Sequence, residues 1–191
     1  MVFVDGENLT IRAQELANKH GWSLTDGPFF RRDVFLWFPN HGNNSVWDIS
    51  PCNLMLWHDE YVAGSPIRAM YYTSMVGDDD AIKNVEGRLW ALGSSPAVFK
   101  KARRNLKAKG VDIALTKDML SHAYLDNYDV AVLMAGDGDY VPLVEEVKRL
   151  GKRVHLAFFD ADSTAFALKI ACDKFRALDR TFSLAWAGMV T

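Results

Sequence analysis

The stretch that decides the fold of this chain lies at residues 131–140 and reads Ala131–Val132–Leu133–Met134–Ala135–Gly136–Asp137–Gly138–Asp139–Tyr140. An apolar run ends at Gly136, two carboxylates follow, and a helical pattern begins at residue 141. A short continuous apolar run of this kind is typical of a strand buried on both faces. Asp137 and Asp139 are therefore predicted where a parallel strand ends and a helix begins, the sheet edge at which α/β proteins bind ligands.

Apolar runs and helical patterns alternate along the rest of the chain. Strands are predicted at residues 2–4, 67–74, 111–115, 130–135 and 154–159. Helices are predicted at residues 9–19, 80–92, 96–109, 117–125, 141–150 and 163–178. Alternation of this kind indicates βαβ units. We therefore expect an α/β fold with a central, mainly parallel five-stranded sheet.

Composition limits the class of protein. The chain has 191 residues, which predicts a single domain over 1–191. The net charge of −2 argues against a strongly basic coat for nucleic acid but permits a local basic groove. Two cysteines form neither a metal-binding spacing nor a disulfide framework, so a reducing, cytoplasmic location is expected. No apolar run is long enough to span a membrane.

Residues 21–65 break the alternation. They are rich in aromatic side chains and contain prolines at 28, 39 and 51. This composition is too apolar for a disordered linker. We expect an ordered insertion that packs its aromatic side chains on the main sheet, with residues 35–38 as one strand of a small hairpin. The functional alternatives are a platform for stacking bases or a homodimer contact.

Three acidic residues follow the two most clearly predicted strands. Asp5 comes directly after the first strand, in Asp5–Gly6–Glu7–Asn8, and Asp137 and Asp139 come after the fourth. Each could instead cap a helix, since aspartate is a favoured N-cap residue. Because the carboxyl ends of parallel strands share one edge, the acids are expected to form a site for Mg²⁺, which takes oxygen ligands.

A fourth acid, Asp118, lies at the start of a predicted helix just after a predicted strand. Beside other acidic strand ends it is a candidate metal ligand, although an acid in a first helical turn also offsets the helix dipole. Asp112 is predicted within the third strand, as a partner of a basic group or a more distant site residue. His122 stands four residues after Asp118, either as a substrate contact or as a hydrogen-bonded structural histidine.

Basic side chains crowd the predicted helix at residues 96–109. Lys100, Lys101, Arg103 and Arg104 form either a solvated face or a patch that follows the phosphates of a nucleic acid. Phosphate-loop, dinucleotide-binding and nucleophile-elbow motifs are absent from the sequence.

Four segments together resemble the NYN domain family, a branch of the PIN-like nucleases, and most closely its bacterial LabA-like group. They are residues 3–8, 109–112, 117–120 and 133–143, in that order. The resemblance runs to about residue 175 and excludes the insertion. It implies a Rossmann-like, PIN-like three-layer fold and metal-dependent cleavage of RNA. It also implies that Asp5, Asp118, Asp137 and Asp139 are the metal acids and that Asn8 is their polar partner.

The leading interpretation is a metal-dependent ribonuclease that cleaves single-stranded or structured RNA. Mg²⁺ or Mn²⁺ would be the cofactor, RNA or DNA the partner, and Asp5, Asn8, Asp118, Asp137 and Asp139 the catalytic set. Two alternatives stay open. One is a non-catalytic RNA-binding or regulatory module, and the other is a metal-dependent phosphatase or toprim-like phosphotransferase.

Overall fold

The structure, a computed structural model, describes residues 1–37, 68–103, 110–160, 164–180 and 182–183. Its strands are β1 (Val2–Asp5), β2 (Phe30–Arg31), β3 (Phe35–Leu36), β4 (Ala69–Met75), β5 (Ser95–Lys100), β6 (Val130–Met134), β7 (Arg153–Phe158) and β8 (Lys174–Ala177). Its α-helices are α1 (Gly6–Lys19), α2 (Asp79–Ala91), α3 (Val111–Tyr124), α4 (Val141–Arg149) and α5 (Phe166–Ala171), and a 3₁₀ turn spans Gly138–Tyr140.

Six strands form one parallel sheet in the order β5-β4-β1-β6-β7-β8. From β1 the chain adds β4 and β5 on one side, and then crosses to add β6, β7 and β8 on the other. The order therefore reverses between β1 and β6. This is the strand order of a doubly wound α/β sheet, with a topological switch point beside the central strand.

Two apolar cores lie on opposite faces of the sheet, because successive strand side chains point to opposite faces. Val2 and Val4 of β1 join the core that includes α1, the β2–β3 hairpin and α2. Phe3, between them, joins the core that includes α3, α4 and α5. The chain thus has the predicted three layers. None of the helices in the described ranges is both long and apolar enough to cross a bilayer.

The predicted strand at 111–115 is wrong, since these residues form the first turns of α3. Val111, Leu115, Met119 and Ala123 are buried at a spacing of four, which is the apolar stripe of a helix. Taken alone, residues 111–115 also fit the pattern of a buried strand. Burial against the sheet selects the helix.

The predicted helix at 96–109 is also wrong over its described part, where residues 95–100 form β5. β5 lies at the edge of the sheet, and an edge strand tolerates Pro96 without losing a ladder hydrogen bond. Similarly, the predicted helix at 163–178 is divided into α5 and β8. The sheet consequently has six strands rather than the five predicted.

The first part of the insertion packs on the sheet as predicted. The β2–β3 hairpin is antiparallel, and Phe30, Phe35 and Trp37 are buried in the core beside α1. The Tyr71 hydroxyl donates to the Leu36 carbonyl at 3.0 Å and accepts the Leu36 N–H at 3.1 Å. Residues 38–65 lie outside the described residues.

Candidate functional site

The switch point between β1 and β6 has polar groups on both sides. Asp5 is the last residue of β1, and Gly136 and Asp137 follow β6. The Asn8 side chain crosses between them, because its Oδ1 accepts the Gly136 N–H at 2.9 Å. The two strand ends are therefore held together by a side chain rather than only by the sheet.

Asp5 is a buried carboxylate with a defined set of donors. It is 4% exposed, and as N-cap of α1 its Oδ1 accepts the Asn8 N–H at 3.0 Å. The chain comes close here, because a Cβ added to Gly6 would lie 2.1 Å from Cε1 of Tyr71. A glycine after Asp5 is thus required for the Tyr71 ring to pack against the start of α1.

Tyr140 joins Asp5 to a second carboxylate. Its buried hydroxyl lies 3.0 Å from Asp5 Oδ2 and 3.1 Å from Asp112 Oδ1. A tyrosine hydroxyl has one proton to donate. It can therefore satisfy one of the two carboxylates at a time, and the other faces the same oxygen without that proton.

Asp137 both caps a turn and faces the site. Its Oδ1 accepts the Asp139 N–H at 3.1 Å, at the start of the 3₁₀ turn. The side chain is half-buried and lines the same cavity as Asp5. The capping role and the site position are therefore compatible in one residue.

Glu7 approaches the site from the first turn of α1 and has a lysine partner. Its Oε1 lies 2.8 Å from Lys101 Nζ, and its Oε2 accepts a hydrogen bond from the Ser74 hydroxyl. The Lys101 and Glu7 side chains are 4% and 15% exposed. This is an ion pair inside the protein, not on its surface.

A cavity of about 80 Å³ opens at this edge of the sheet. Its lining contains four carboxylates, one amide and two aliphatic side chains, which come from the β1–α1 segment, the start of α3 and the β6–α4 loop: Asp5, Glu7, Asn8, Ile11, Val111, Asp112 and Asp137. The cavity is thus a concentrated acidic site with oxygen donors.

Burial and nearby negative charges raise the pKa of two groups in this site, Asp5 and Tyr140. Burial, the largest cause, and the nearby charges of Asp112 and Glu7 together raise the pKa of Asp5 to about 6, although hydrogen bonds from Asn8 and Tyr140 act to lower it. Burial and the charges of Asp5 and Asp112 also raise the pKa of the Tyr140 hydroxyl. Helices α1 and α3 begin at this edge, and the positive ends of their dipoles partly offset the carboxylates.

The donor chemistry fits a hydrated Mg²⁺ or Mn²⁺ ion. The described lining residues offer oxygen donors and neither histidine nor cysteine, and Mg²⁺ binds through one or two carboxylates while it keeps several waters. The Asp5 and Asp112 carboxylates lie near each other, because both contact the Tyr140 hydroxyl. No group of three carboxylate, histidine or cysteine side chains in the described part of the chain is close enough to hold an ion as it stands.

Three predicted site residues lie outside this cavity. Asp118 is in the middle of α3, where its Oδ2 accepts the Tyr72 hydroxyl at 2.9 Å. Asp139 is exposed beyond Asp137. His122 lies in the last turn of α3, with Nδ1 2.9 Å from Nδ2 of Asn127. The cavity-lining acid of α3 is Asp112, in the first turn of the helix, rather than the predicted Asp118.

The predicted basic patch is divided by the fold. Lys100 ends β5 and pairs with Asp79 at 2.9 Å on the surface, whereas Lys101 is buried against Glu7. Arg103 is exposed, and Arg104 lies outside the described residues. Lys101 is therefore not on a solvated face and is not placed to follow a nucleic-acid backbone.

Three residues of the site, Glu7, Asp112 and Tyr140, are missing from the catalytic set predicted from sequence, and for two of them the sequence carries a usable signal. Glu7 stands two residues after Asp5, at a spacing that keeps both near the start of one helix. Asp112 follows Gly110, and the spacing of four that begins at Val111 would have placed it in a first helical turn. For Tyr140 the sequence carries no such signal, since only packing brings its hydroxyl to Asp5.

Comparison with known proteins identifies the family of this chain. No curated protein matches the sequence. A crystal structure of a protein of unknown function from Vibrio parahaemolyticus shares the fold, with a TM-score of 0.61 and 22% identity over 95% of this chain and 93% of that one. The family model of the NYN domain matches residues 1–179. The chain therefore belongs to the NYN domain family, and through it to the PIN-like superfamily, whose domains are usually nucleases.

Proposed function

We propose that this protein is a metal-dependent ribonuclease whose active site is the acidic cavity at the switch point. The observation that carries the proposal is the meeting of Asp5, Asp112 and Asp137 with Glu7 in one cavity at the carboxyl edge of a parallel sheet. A cluster of carboxylates facing each other in a partly buried site is unfavourable unless a cation is bound. Membership of a family of nuclease-like domains supports phosphodiester hydrolysis.

The proposed ligand set differs from the one predicted by sequence. Asp5, Asp112 and Asp137 would hold the ion, and Asp112 takes the place of Asp118 because Asp118 is bonded to Tyr72 outside the cavity. Asp139, next to the cavity, is proposed only as an outer contact. A bound Mg²⁺ or Mn²⁺ would supply an activated water and stabilise the charge that develops on the phosphate.

The protein groups around this set have positioning roles in the proposal. The Tyr140 hydroxyl contacts both Asp5 and Asp112, and in the proposal it holds the two carboxylates beside each other. Asn8 holds the loop that carries Asp137 against the start of α1, through its bond to Gly136. Ile11 and Val111 provide the apolar part of the lining, which limits the access of bulk water to Asp5.

The test compares substrates and metals on the full chain. Single-stranded RNA, a hairpin RNA, single-stranded DNA and p-nitrophenyl phosphate are incubated with Mn²⁺, with Mg²⁺ or with EDTA. We expect cleavage of RNA that requires metal. Metal-dependent hydrolysis of the phosphomonoester alone would favour the phosphatase alternative, and RNA binding without cleavage would favour the non-catalytic one.

Variants distinguish the cavity from the sequence-based ligand set. Asp112→Asn is expected to reduce cleavage by at least about a hundredfold, whereas Asp118→Asn keeps an acceptor for Tyr72 and should remain within about threefold of wild type. The two residues lie on the same helix, so each controls for general effects on α3. If Asp118→Asn is inactive and Asp112→Asn is not, the proposed ligand set is wrong.

Four further points remain proposals. Residues 1–191 are proposed to form one domain with an insertion at about 21–65, because residues 21–37 pack into the same core as α1. The LabA-like subgroup rests on the motif resemblance alone. A cytoplasmic location rests on the use of cysteine. Homodimer formation through the insertion rests on its aromatic composition.

A further inference from the structure

The ion pair between Lys101 and Glu7 is an unusual feature of the cavity wall. It joins two residues 94 positions apart, and both side chains are largely removed from water. The Ser74 hydroxyl donates to the second oxygen of the Glu7 carboxylate. The backbone N–H of Lys101 donates to the Met75 carbonyl at 2.9 Å. The end of β4 and the residue after β5 are thus connected to the first turn of α1.

Folding alone gives a weak reason for such a pair. The cost of removing two charges from water offsets most of their attraction, so well-packed apolar residues of similar volume are often as stable. The neighbouring Lys100–Asp79 pair is different, because its side chains are 58% and 81% exposed and surface pairs contribute little either way. The location of Lys101 therefore calls for a role connected with Glu7.

We propose that Lys101 is a positioning residue that tunes the metal site by holding Glu7 outside the ligand set and offsetting its charge. The inference rests on the proposed function, since it concerns the same cavity. Glu7 lines the cavity with three aspartates, and a fourth free carboxylate would strengthen cation binding and repel an RNA phosphate. With the two oxygens of Glu7 bound by Lys101 and Ser74, the Lys101–Glu7 pair as a whole contributes shape to the wall and little net charge.

The two halves of the pair have opposite expected effects. Lys101→Met leaves Glu7 with its charge beside the aspartates, so Mn²⁺ should bind about tenfold more tightly and the KM for RNA should rise. Glu7→Gln keeps the side-chain shape but leaves the Lys101 charge uncompensated, so Mn²⁺ should bind about tenfold more weakly. The double variant removes both charges and should return to within about threefold of wild type.

The experiment measures Mn²⁺ affinity on the full chain by the electron paramagnetic resonance signal of free Mn²⁺, without any substrate. The variants are Lys101→Met, Glu7→Gln and the two combined. Lys100→Met is the matched control, because it removes a neighbouring lysine from an exposed pair. Its Mn²⁺ affinity should be unchanged.

The outcomes separate this inference from the proposed function. If Lys101→Met folds and binds Mn²⁺ with wild-type affinity, the inference is wrong. That result does not contradict the proposed ribonuclease function. If Glu7→Gln and the double variant bind Mn²⁺ equally weakly, Glu7 is itself a ligand and the inference is wrong. If Lys101→Met does not fold, recovery of affinity in the double variant relative to Glu7→Gln supports the inference. Mn²⁺ binding with the expected pattern, but no cleavage of RNA, supports it and rejects the ribonuclease.

Discussion

Replacement of Asp5 by asparagine should stabilise the metal-free protein while abolishing its metal response. Asp5 is 4% exposed and its pKa is raised from 3.8 to about 6, so its ionised form is unfavourable in the folded chain. Asparagine keeps an oxygen for the Asn8 N–H and is an equally good N-cap. The substitution therefore removes the unfavourable charge without removing the cap.

The size of the effect follows from the pKa. A tenfold change in proton affinity corresponds to about 1.4 kcal/mol, so a rise from 3.8 to about 6 corresponds to about 3 kcal/mol. The hydrogen bonds from Asn8 and Tyr140 to a neutral asparagine are weaker than those to a carboxylate, which reduces the expected gain in stability. We expect the free energy of unfolding of metal-free Asp5→Asn to exceed that of wild type by about 1–3 kcal/mol at about pH 7.

The pH dependence has a definite sign. Below pH 3.8 the carboxyl group is protonated in both folded and unfolded chains, so Asp5 contributes no difference. Between 3.8 and about 6 the folded chain retains a proton that the unfolded chain has released, and stability falls as pH rises. The difference in free energy of unfolding between Asp5→Asn and wild type should therefore grow as the pH rises from 3.8 to about 6, and stay constant above that range.

The assay is urea unfolding followed by tryptophan fluorescence, in EDTA at about pH 4 and about pH 7, and again with saturating Mn²⁺. Asp118→Asn, outside the cavity, is the matched control for the loss of one carboxylate and should keep the wild-type gain in stability on addition of Mn²⁺. With Mn²⁺ at about a hundred times its Kd, wild type should gain about 2.7 kcal/mol and Asp5→Asn much less. A metal-free Asp5→Asn that is less stable than wild type at pH 7 would refute this reasoning.

Two further predictions concern packing and charge. Gly6→Ala puts a Cβ 2.1 Å from the Tyr71 ring and should lower the free energy of unfolding, measured in urea, by about 1–3 kcal/mol. Gly87→Ala, in an open position within α2, should raise the free energy of unfolding by about 0.5–1 kcal/mol. Equal effects at the two glycines would contradict the close approach. Reversal of charge at Lys100 and Arg103 should flatten the dependence of RNA affinity on salt. An unchanged slope would move the RNA surface elsewhere.

Several features could be predicted from short stretches of sequence, because they depend on local patterns. The buried runs that become β1 and β6 end at a glycine or an aspartate, and the periodicity of residues 141–150 matches α4. The alternation of strands and helices then led to an α/β fold with a parallel sheet. The positions of Asp5 and Asp137 at one edge followed from the direction of parallel strands.

Other features depended on contacts between distant parts of the chain. Residues 95–100 become an edge strand because β4 offers them a partner, although their sequence includes a proline and a basic end. Residues 111–115 become helical because their stripe of four-residue spacing meets the sheet. Local propensity is weak beside such burial, and the helix predicted over the first of these segments and the strand predicted over the second were therefore both wrong.

The composition of the site was settled in the same way. Asp5 and Asp137 were foreseeable, since each directly follows a buried strand, whereas Asp112 entered the cavity only when α3 began at Val111. Lys101 looked like one member of a basic run, and packing buried it against Glu7. Sequence spacing determines which acids end a strand. Whether a charged side chain contacts solvent or a partner 94 residues away depends on how the layers of the fold pack.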